Sequence, residues 1–324
     1  MVLMLACNGE PASEPAKPEP TPDEPAKPEP TPEAEPEAPR EDSTALLVRL
    51  LSWLPSDTLA VSYDRMPERW SPAVLASVFA LPPKAADLLD ERRLLDEALA
   101  QAFETEAGPP DLAWLGPQSM AFTLPIIRHA YLVRPLLKPA SELDSLFTSA
   151  GFMREEIEGK VVWLPKGAFP WRMAILDEQT IAFVPADPGA GVQPLLDAAA
   201  APASPVEAQV SDALGKDPMI ELTLLAAGPL MHYDTDAAIN QIQFALRRPG
   251  PNLGYEGLVV MMPDGDPSAV ATELRERSTP EENLQVQELI KLVEFIPEPT
   301  MTPPQVIGRL TIAPDQLKHF RARD

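Results

Sequence analysis

Residues 171–185, WRMAILDEQTIAFVP, decide the architecture. Trp171–Leu176 and Thr180–Val184 are apolar runs of strand length, and Asp177-Glu178-Gln179 between them is a turn, so the segment predicts a β-hairpin. The same pattern lies just upstream, where Phe152–Ile157 and Lys160–Leu164 flank the turn pair Glu158-Gly159. Further back, Ser119–Ile126 and Arg128–Leu136 read as strands, with Pro125 marking a bulge or an edge. Thr58–Tyr63 is another.

Helices alternate with these strands. Ala45–Trp53, capped by Ser43, places Leu46, Leu47, Leu50 and Leu51 at helical spacing. Ser71-Pro72 starts a second helix, Lys84–Glu106 reads as the longest, and Ser141–Ala150 is stopped by Gly151. Val192–Ala201 follows. Beyond it the pattern predicts a strand at Met219–Leu225 and a helix at Ala237–Arg248. That helix has Asp234 and Asp236 at its start and Arg247 and Arg248 at its end, the arrangement a helix dipole favours. Gly257–Met262 and Val306–Ile312 read as strands, Ser268–Arg277 and Glu281–Leu292 as helices, and a short helix begins at Asp315. The expected class is α+β, with mixed or antiparallel sheets and flanking helices.

TIAFVP at Thr180–Pro185 and RLTIAP at Arg309–Pro314 both end a strand in proline, with an Asp soon after. A strand follows an Asp-bearing loop at Asp57 and again at Asp217. These echoes predict two related α+β halves, residues 43–215 and 216–324, within a unit that can equally be one compact body.

Composition narrows the function. The 324 residues carry 26 Lys+Arg against 49 Asp+Glu, a net charge of −23, and 45% are hydrophobic. A core is therefore available, while nucleic acid and anionic lipid headgroups, which need clustered Lys and Arg, are disfavoured partners. The single cysteine, Cys7, leaves no intramolecular disulfide or cysteine-based zinc site, and the three histidines are far apart in sequence. No cofactor or metal is expected. No apolar run approaches the ~20 residues of a membrane-spanning helix.

The N-terminus carries the strongest functional signal. VLMLA at 2–6 ends in a small residue directly before Cys7. Residues 8–42 then hold 11 prolines and a net charge of −8, with EPAKPEPTP repeated at Glu14–Pro22 and Glu24–Pro32. Such a tract has nothing to bury and reads as an extended linker reaching on the order of 100 Å at ~3.1 Å per residue. An incidental cysteine, and Pro-x-x-Pro ligands such as Pro15–Pro18, are the alternatives.

Residues 1–7 resemble the lipobox of bacterial lipoproteins, with Met4 where Leu is usual. That resemblance implies cleavage before Cys7, acylation of its sulfur and amine, and, from Asn8 rather than Asp, sorting to the outer membrane, facing periplasm or cell surface. Only six residues precede Cys7, fewer than a full signal peptide, so the start is expected to lie inside a longer one. LPSDTLAVSY and WRMAILDEQTIAFVP are similar to stretches of α+β domains of unknown function in bacterial envelope lipoproteins, a resemblance of pattern that brings no catalytic residues.

Signatures of catalysis are missing: there is no G-x-S-x-G, H-E-x-x-H, Walker loop, G-x-G-x-x-G or S-x-x-K. His232-Tyr233-Asp234-Thr235-Asp236 could ligate a metal or cap a helix. Asp264-Gly265-Asp266 opens like a calcium loop, but Ala269 and Arg275 occupy the positions that need Gly and Glu, which leaves a turn and a cap. His129 with Arg128, Tyr131 and Arg134 could form an anion-binding or merely solvated strand face. Trp163, Phe169 and Trp171 could form an aromatic ligand surface or pack across the hairpin. The leading expectation is a non-enzymatic module that binds or scaffolds an unknown envelope protein or glycan. A hydrolase with a carboxylate site, or a purely structural lipoprotein, would share these features.

Overall fold

The Asp177 carboxylate closes the 171–185 hairpin by accepting from Gln179 N–H at 2.8 Å, which turns the chain after two residues. The computed structural model describes residues 43–66, 70–104, 112–125, 129–157, 159–165, 167, 169–187, 189–201, 205–217, 219–227, 238–250, 253–276 and 284–320. Cys7, the proline tract, Arg128 and the His232–Asp236 cluster lie outside them.

Twelve strands are described: β1 (Ala60–Asp64), β2 (Ser119–Thr123), β3 (Tyr131–Pro135), β4 (Met153–Ile157), β5 (Lys160–Leu164), β6 (Trp171–Asp177) and β7 (Thr180–Pro185), then β8 (Ile220–Ala227), β9 (Ile239–Arg247), β10 (Tyr255–Pro263), β11 (Glu294–Glu298) and β12 (Gln305–Ile312). They form one sheet in the order β11-β12-β10-β9-β8-β1-β2-β3-β7-β6-β5-β4, and every recorded neighbour pair is antiparallel. The protein is α+β, as its patterning predicts.

The strand order repeats. β1-β2-β3 and β8-β9-β10 each form a meander, and the last strand of each half, β7 or β12, returns beside its third strand. The two segments matched in sequence, Thr180–Pro185 and Arg309–Pro314, thus fall on or end the strands that take equivalent places. β1 joins β8 at the middle, with Ser62 opposite Leu224.

Nine helices are described: α1 (Ser43–Leu51), α2 (Pro72–Phe79), α3 (Pro83–Ala86), α4 (Glu91–Ala102), α5 (Ala140–Ser149), α6 (Gln193–Ala200), α7 (Pro205–Lys216), α8 (Pro267–Glu276) and α9 (Leu284–Leu292). α2, α4, α5, α8 and α9 bury Val78, Leu95, Phe147, Val270 and Leu289 against one face of the sheet, along its whole width. On the other face α1, α6 and α7 bury Leu50, Leu195 and Val210, and the core there reaches as far as Ala245 of β9.

The predicted helix over Ala237–Arg248 is corrected by β9: Ile242, Phe244 and Leu246 are buried alternately, a period of two. The expected long helix Lys84–Glu106 breaks at a 3₁₀ turn over Asp87–Leu89, leaving α3 and α4. α7 and β11 have no counterpart in the sequence reading.

One strand glycine brings helix and sheet into contact. A Cβ on Gly257 would sit 2.1 Å from Phe79 Cζ, where the Phe79 ring lies 4.9 Å from Phe244. Gly257→Val is therefore expected to lift α2 off the sheet and cost about 2–3 kcal/mol, read as a lower denaturation midpoint. An unchanged midpoint would show that α2 shifts freely.

Candidate functional site

The uncovered part of the sheet is the feature that stands out. Alternation along β9, β10, β12 and β11 turns Phe244, Val259, Leu310 and Phe295 to the helical core and their neighbours to the opposite side. On β9 those neighbours meet α7, whose Gln209 accepts from Gln241 Nε2 at 2.7 Å, while the core on that side includes no residue of β10, β12 or β11.

Register maps this open face row by row. Val260 pairs with Gln243 and with Ile307, and Ile307 pairs with Ile296. This gives an apolar row three strands wide. Leu258, 38% exposed, is level with Ala245 on one side and Arg309 on the other. Arg309 in turn faces Glu294. Above them Glu256 stands between Arg247 and Thr311. The surface therefore has an apolar centre and a charged margin.

The margin is partly neutralised within itself. Arg247 donates to Glu256 Oε2 at 2.6 Å and to Asp217 Oδ2 at 3.1 Å, and these two carboxylates hold its guanidinium pKa above the ordinary value. Arg309 and Glu294, although opposed in register, make no ion pair within 4 Å among the described residues. A cleft of about 650 Å³ runs over this surface, lined by Ala245, Leu258, Thr311 and the half-exposed Leu292 at the end of α9. Its chemistry suits a partly apolar surface carrying charges of both signs.

Both edges of the sheet are blunted. β4 (MREEI) is exposed and charged, and β11 carries Pro297. Association by edge pairing is thereby disfavoured.

The residues singled out in sequence do not assemble. Trp163 and Trp171, 3% and 2% exposed, lie in a core cluster. There the Phe147 ring is 4.8 Å from Trp163 and 5.2 Å from Trp114. Phe169 packs on Phe152 and Trp171 at 5.6 and 5.8 Å. Cross-strand and helix packing account for these rings, and they offer no ligand surface. Tyr131 is buried on the opposite face of the sheet, stacked on Phe122 at 5.3 Å. His129 is an exposed loop residue whose N–H is held by Asp187. Tyr131 and Arg134 are three residues apart on one strand, so they point to opposite faces, and a joint anion-binding face is ruled out.

Asp264-Gly265-Asp266 is a turn and cap. Asp266 Oδ1 accepts from Ser268 N–H at 2.9 Å and Gly265 has φ 147°. Among the described residues no group of three His, Cys, Asp or Glu could hold a metal ion, and no helix is long and apolar enough to cross a membrane.

A second polar cluster is structural. Arg134 on β3, 4% exposed, is held by Asp96 of α4 and by Gly116 O at 2.7 Å. Arg92 reaches Asp64 at 3.2 Å and Met66 O at 3.0 Å. Burial raises the Asp64 pKa while Arg92 opposes it, and burial lowers that of Arg134. Beside them Glu91 accepts from Ala130 N–H, and burial, aided by Asp90, pushes its carboxyl up to about 7. These groups bolt α4 to the sheet.

The open face is hard to read from sequence because β11 has no predicted counterpart and the neighbouring β9 reads as a helix. The signal for β9 as a strand is present: Gln241, Gln243, Ala245 and Arg247 alternate with the buried Ile242, Phe244 and Leu246.

No family model and no curated protein matches the chain. Solved structures of TP0453 are similar in fold. Its crystal form I aligns with TM-score 0.46 and 11% identity over 83% of this chain and 95% of that one. Its form III aligns with TM-score 0.42 and 10% identity over 81% and 93%.

Proposed function

We propose that the chain is a lipid-anchored cell-envelope protein, held at the outer membrane through Cys7. Its α+β module binds or scaffolds another envelope component through the open face of β10, β12 and β11. One observation carries the binding half of this reading: the helical cover on that side of the sheet ends at β9, and β10, β12 and β11 beyond it combine an apolar row with a charged margin. The apolar row favours a protein surface over a glycan as the partner. The anchor half is supported by the lipobox-like VLMLA-Cys7 and the acidic proline tract behind it, and two acyl chains would make it durable.

Metabolic labelling with an alkyne fatty acid is expected to tag the native chain and not Cys7→Ala; an untagged native chain would remove the anchor. For the face, a photoreactive side chain at Leu258 is expected to yield crosslinked adducts in intact cells. The same group at Leu94, equally exposed but on α4, should give few. Equal yields at the two positions would remove the support for the face.

A further inference from the structure

We infer that Glu91 is a pH-operated latch: protonated, it holds the start of α4 to the chain entering β3, and ionised, it lets go. The inference goes beyond the binding reading and uses neither the anchor nor the open face.

Geometry is the first argument. α4 is fastened to β3 at two points. Asp96 accepts from Arg134 near the end of the strand, and Glu91 accepts from the N–H of Ala130, directly before Tyr131 opens it. Five residues separate the two fasteners on the helix, about 7.5 Å along its axis. The first is an ion pair, which charge on the carboxylate strengthens. The second offers a carboxyl to a neutral N–H, so a charge there depends on its surroundings for support. They give none. One oxygen of Glu91 is buried without a hydrogen-bond partner, and Asp90 and Asp87 from the turn before the helix add like charge. Arg92 is committed to Asp64 and Met66 O, and Arg93 to Asp90 and Glu97. On the loop side the titratable groups are the exposed His129 and Asp187, joined through the His129 N–H. Among the described residues no cation pairs with Glu91.

Release is the second argument. Glu91 is half-buried, so rotating its side chain carries the charge into water. Ala130 stays where it is: Trp171 Nε1 donates to its carbonyl at 3.1 Å, and Asp187 accepts from the neighbouring His129 N–H at 3.3 Å. The helix stays too, because Arg92 holds Asp64 and Leu95 is fully buried. Opening is therefore local, confined to Glu91 and the N–H it leaves. Burial, aided by the two aspartates, holds the carboxyl at about 7 when the latch is closed, against an ordinary 4.5. The closed form thus binds the proton more tightly. Closing is favoured in full below pH 4.5, opening gains ground between 4.5 and 7, and above 7 the effect is complete.

Amide hydrogen exchange resolved to single residues tests this on the full 324-residue chain carrying Cys7→Ser, so that neither acyl groups nor a disulfide intervenes. Each rate is divided by the intrinsic rate at its pH, which leaves the protection given by structure. Between pH 5 and pH 8 the Ala130 N–H is expected to lose protection about tenfold or more. At pH 8 it should also be at least about tenfold less protected than the Val259 N–H, which lies in β10 between two paired strands. In Glu91→Gln, which keeps an acceptor and cannot ionise, the loss between the two pH values should disappear. No loss in wild type, or an equal loss in Glu91→Gln, overturns the inference. So does equal protection of Ala130 and Val259 at pH 8, which would mean that Ala130 opens only with the whole module. Labelling at Cys7 and crosslinking at Leu258 do not involve Glu91, so the latch and the binding reading fail separately.

Discussion

Arg134→Ala should destabilise the module by about 3–5 kcal/mol, the cost of removing one member of a buried charge network. The guanidinium is almost fully enclosed between β3 and α4, where it donates to the Asp96 carboxylate and to Gly116 O. Take it away and Asp96 keeps only Arg92, whose Nε is 3.8 Å distant, while Arg92 must also satisfy Asp64 at 3.2 Å. Two carboxylates then share one cation in a region where burial already opposes the charge on Asp64. The carbonyl of Gly116 loses its donor as well. Denaturant unfolding of wild type and variant measures the difference. A loss below about 1 kcal/mol would mean that water enters the site and that the network contributes little. The double variant Arg134→Met/Asp96→Leu should recover much of the loss, because an apolar pair of similar volume avoids the desolvation cost of both charges. Recovery would show that the network is dispensable for stability and that its members matter only to each other.

That network bears on what the sequence could disclose. Strand periodicity was legible where both faces are covered or one is clearly apolar: the hairpin of β6 and β7, the pair β4 and β5, and the central β1 and β8. It was misread at β9, because Asp234, Asp236, Arg247 and Arg248 imitate the charge placement of a helix. The alternation of Ile242, Phe244 and Leu246 is the stronger physical constraint, since a helix would scatter those three side chains around its axis. Arg247 has a different task from the one its position implied. It clamps Asp217 and Glu256 across three elements and compensates no helix C-terminus. α7 went unread although Val206, Val210 and Leu214 repeat every four residues, because Ser and Pro around 201–205 read as loop. The candidate site was less legible still. Which half of a sheet lacks its helices depends on where α1, α6 and α7 dock, and that is fixed by long-range packing rather than by the strands' own residues. The aromatic residues mislead for a related reason. Trp163 and Trp171 flank a loop in sequence, yet Phe147 packs on Trp163 and Phe169 on Trp171, within a core cluster that also holds Trp114.

Glu91→Gln should stabilise the protein at pH 8 by about 2–3 kcal/mol and leave it nearly unchanged at pH 4. Glu91 opens α4, where the free N–H groups of the helix favour a negative charge. Burial outweighs them: one carboxylate oxygen is buried without a partner, and Asp90 and Asp87 add like charge. Its pKa accordingly stands at about 7 against an ordinary 4.5. The sign follows from linkage. Below pH 4.5 the group is protonated whether the chain is folded or not, and its contribution to stability is fully present. Between 4.5 and 7 the unfolded chain releases the proton while the folded chain keeps it, so stability falls as pH rises. Above 7 the whole contribution is lost. Glutamine keeps an acceptor for Ala130 N–H and carries no charge at any pH, so the variant's stability should lack this component. Asp64, also raised by burial, contributes a slope of the same sign to both proteins and cancels in their difference. Unfolding free energies of the pair at several pH values isolate Glu91: the two curves should meet at low pH and diverge through pH 5–7. Parallel curves would place Glu91 in contact with water. A variant less stable at pH 8 would show that the carboxylate has a cation partner there and that its charge is an asset to the fold.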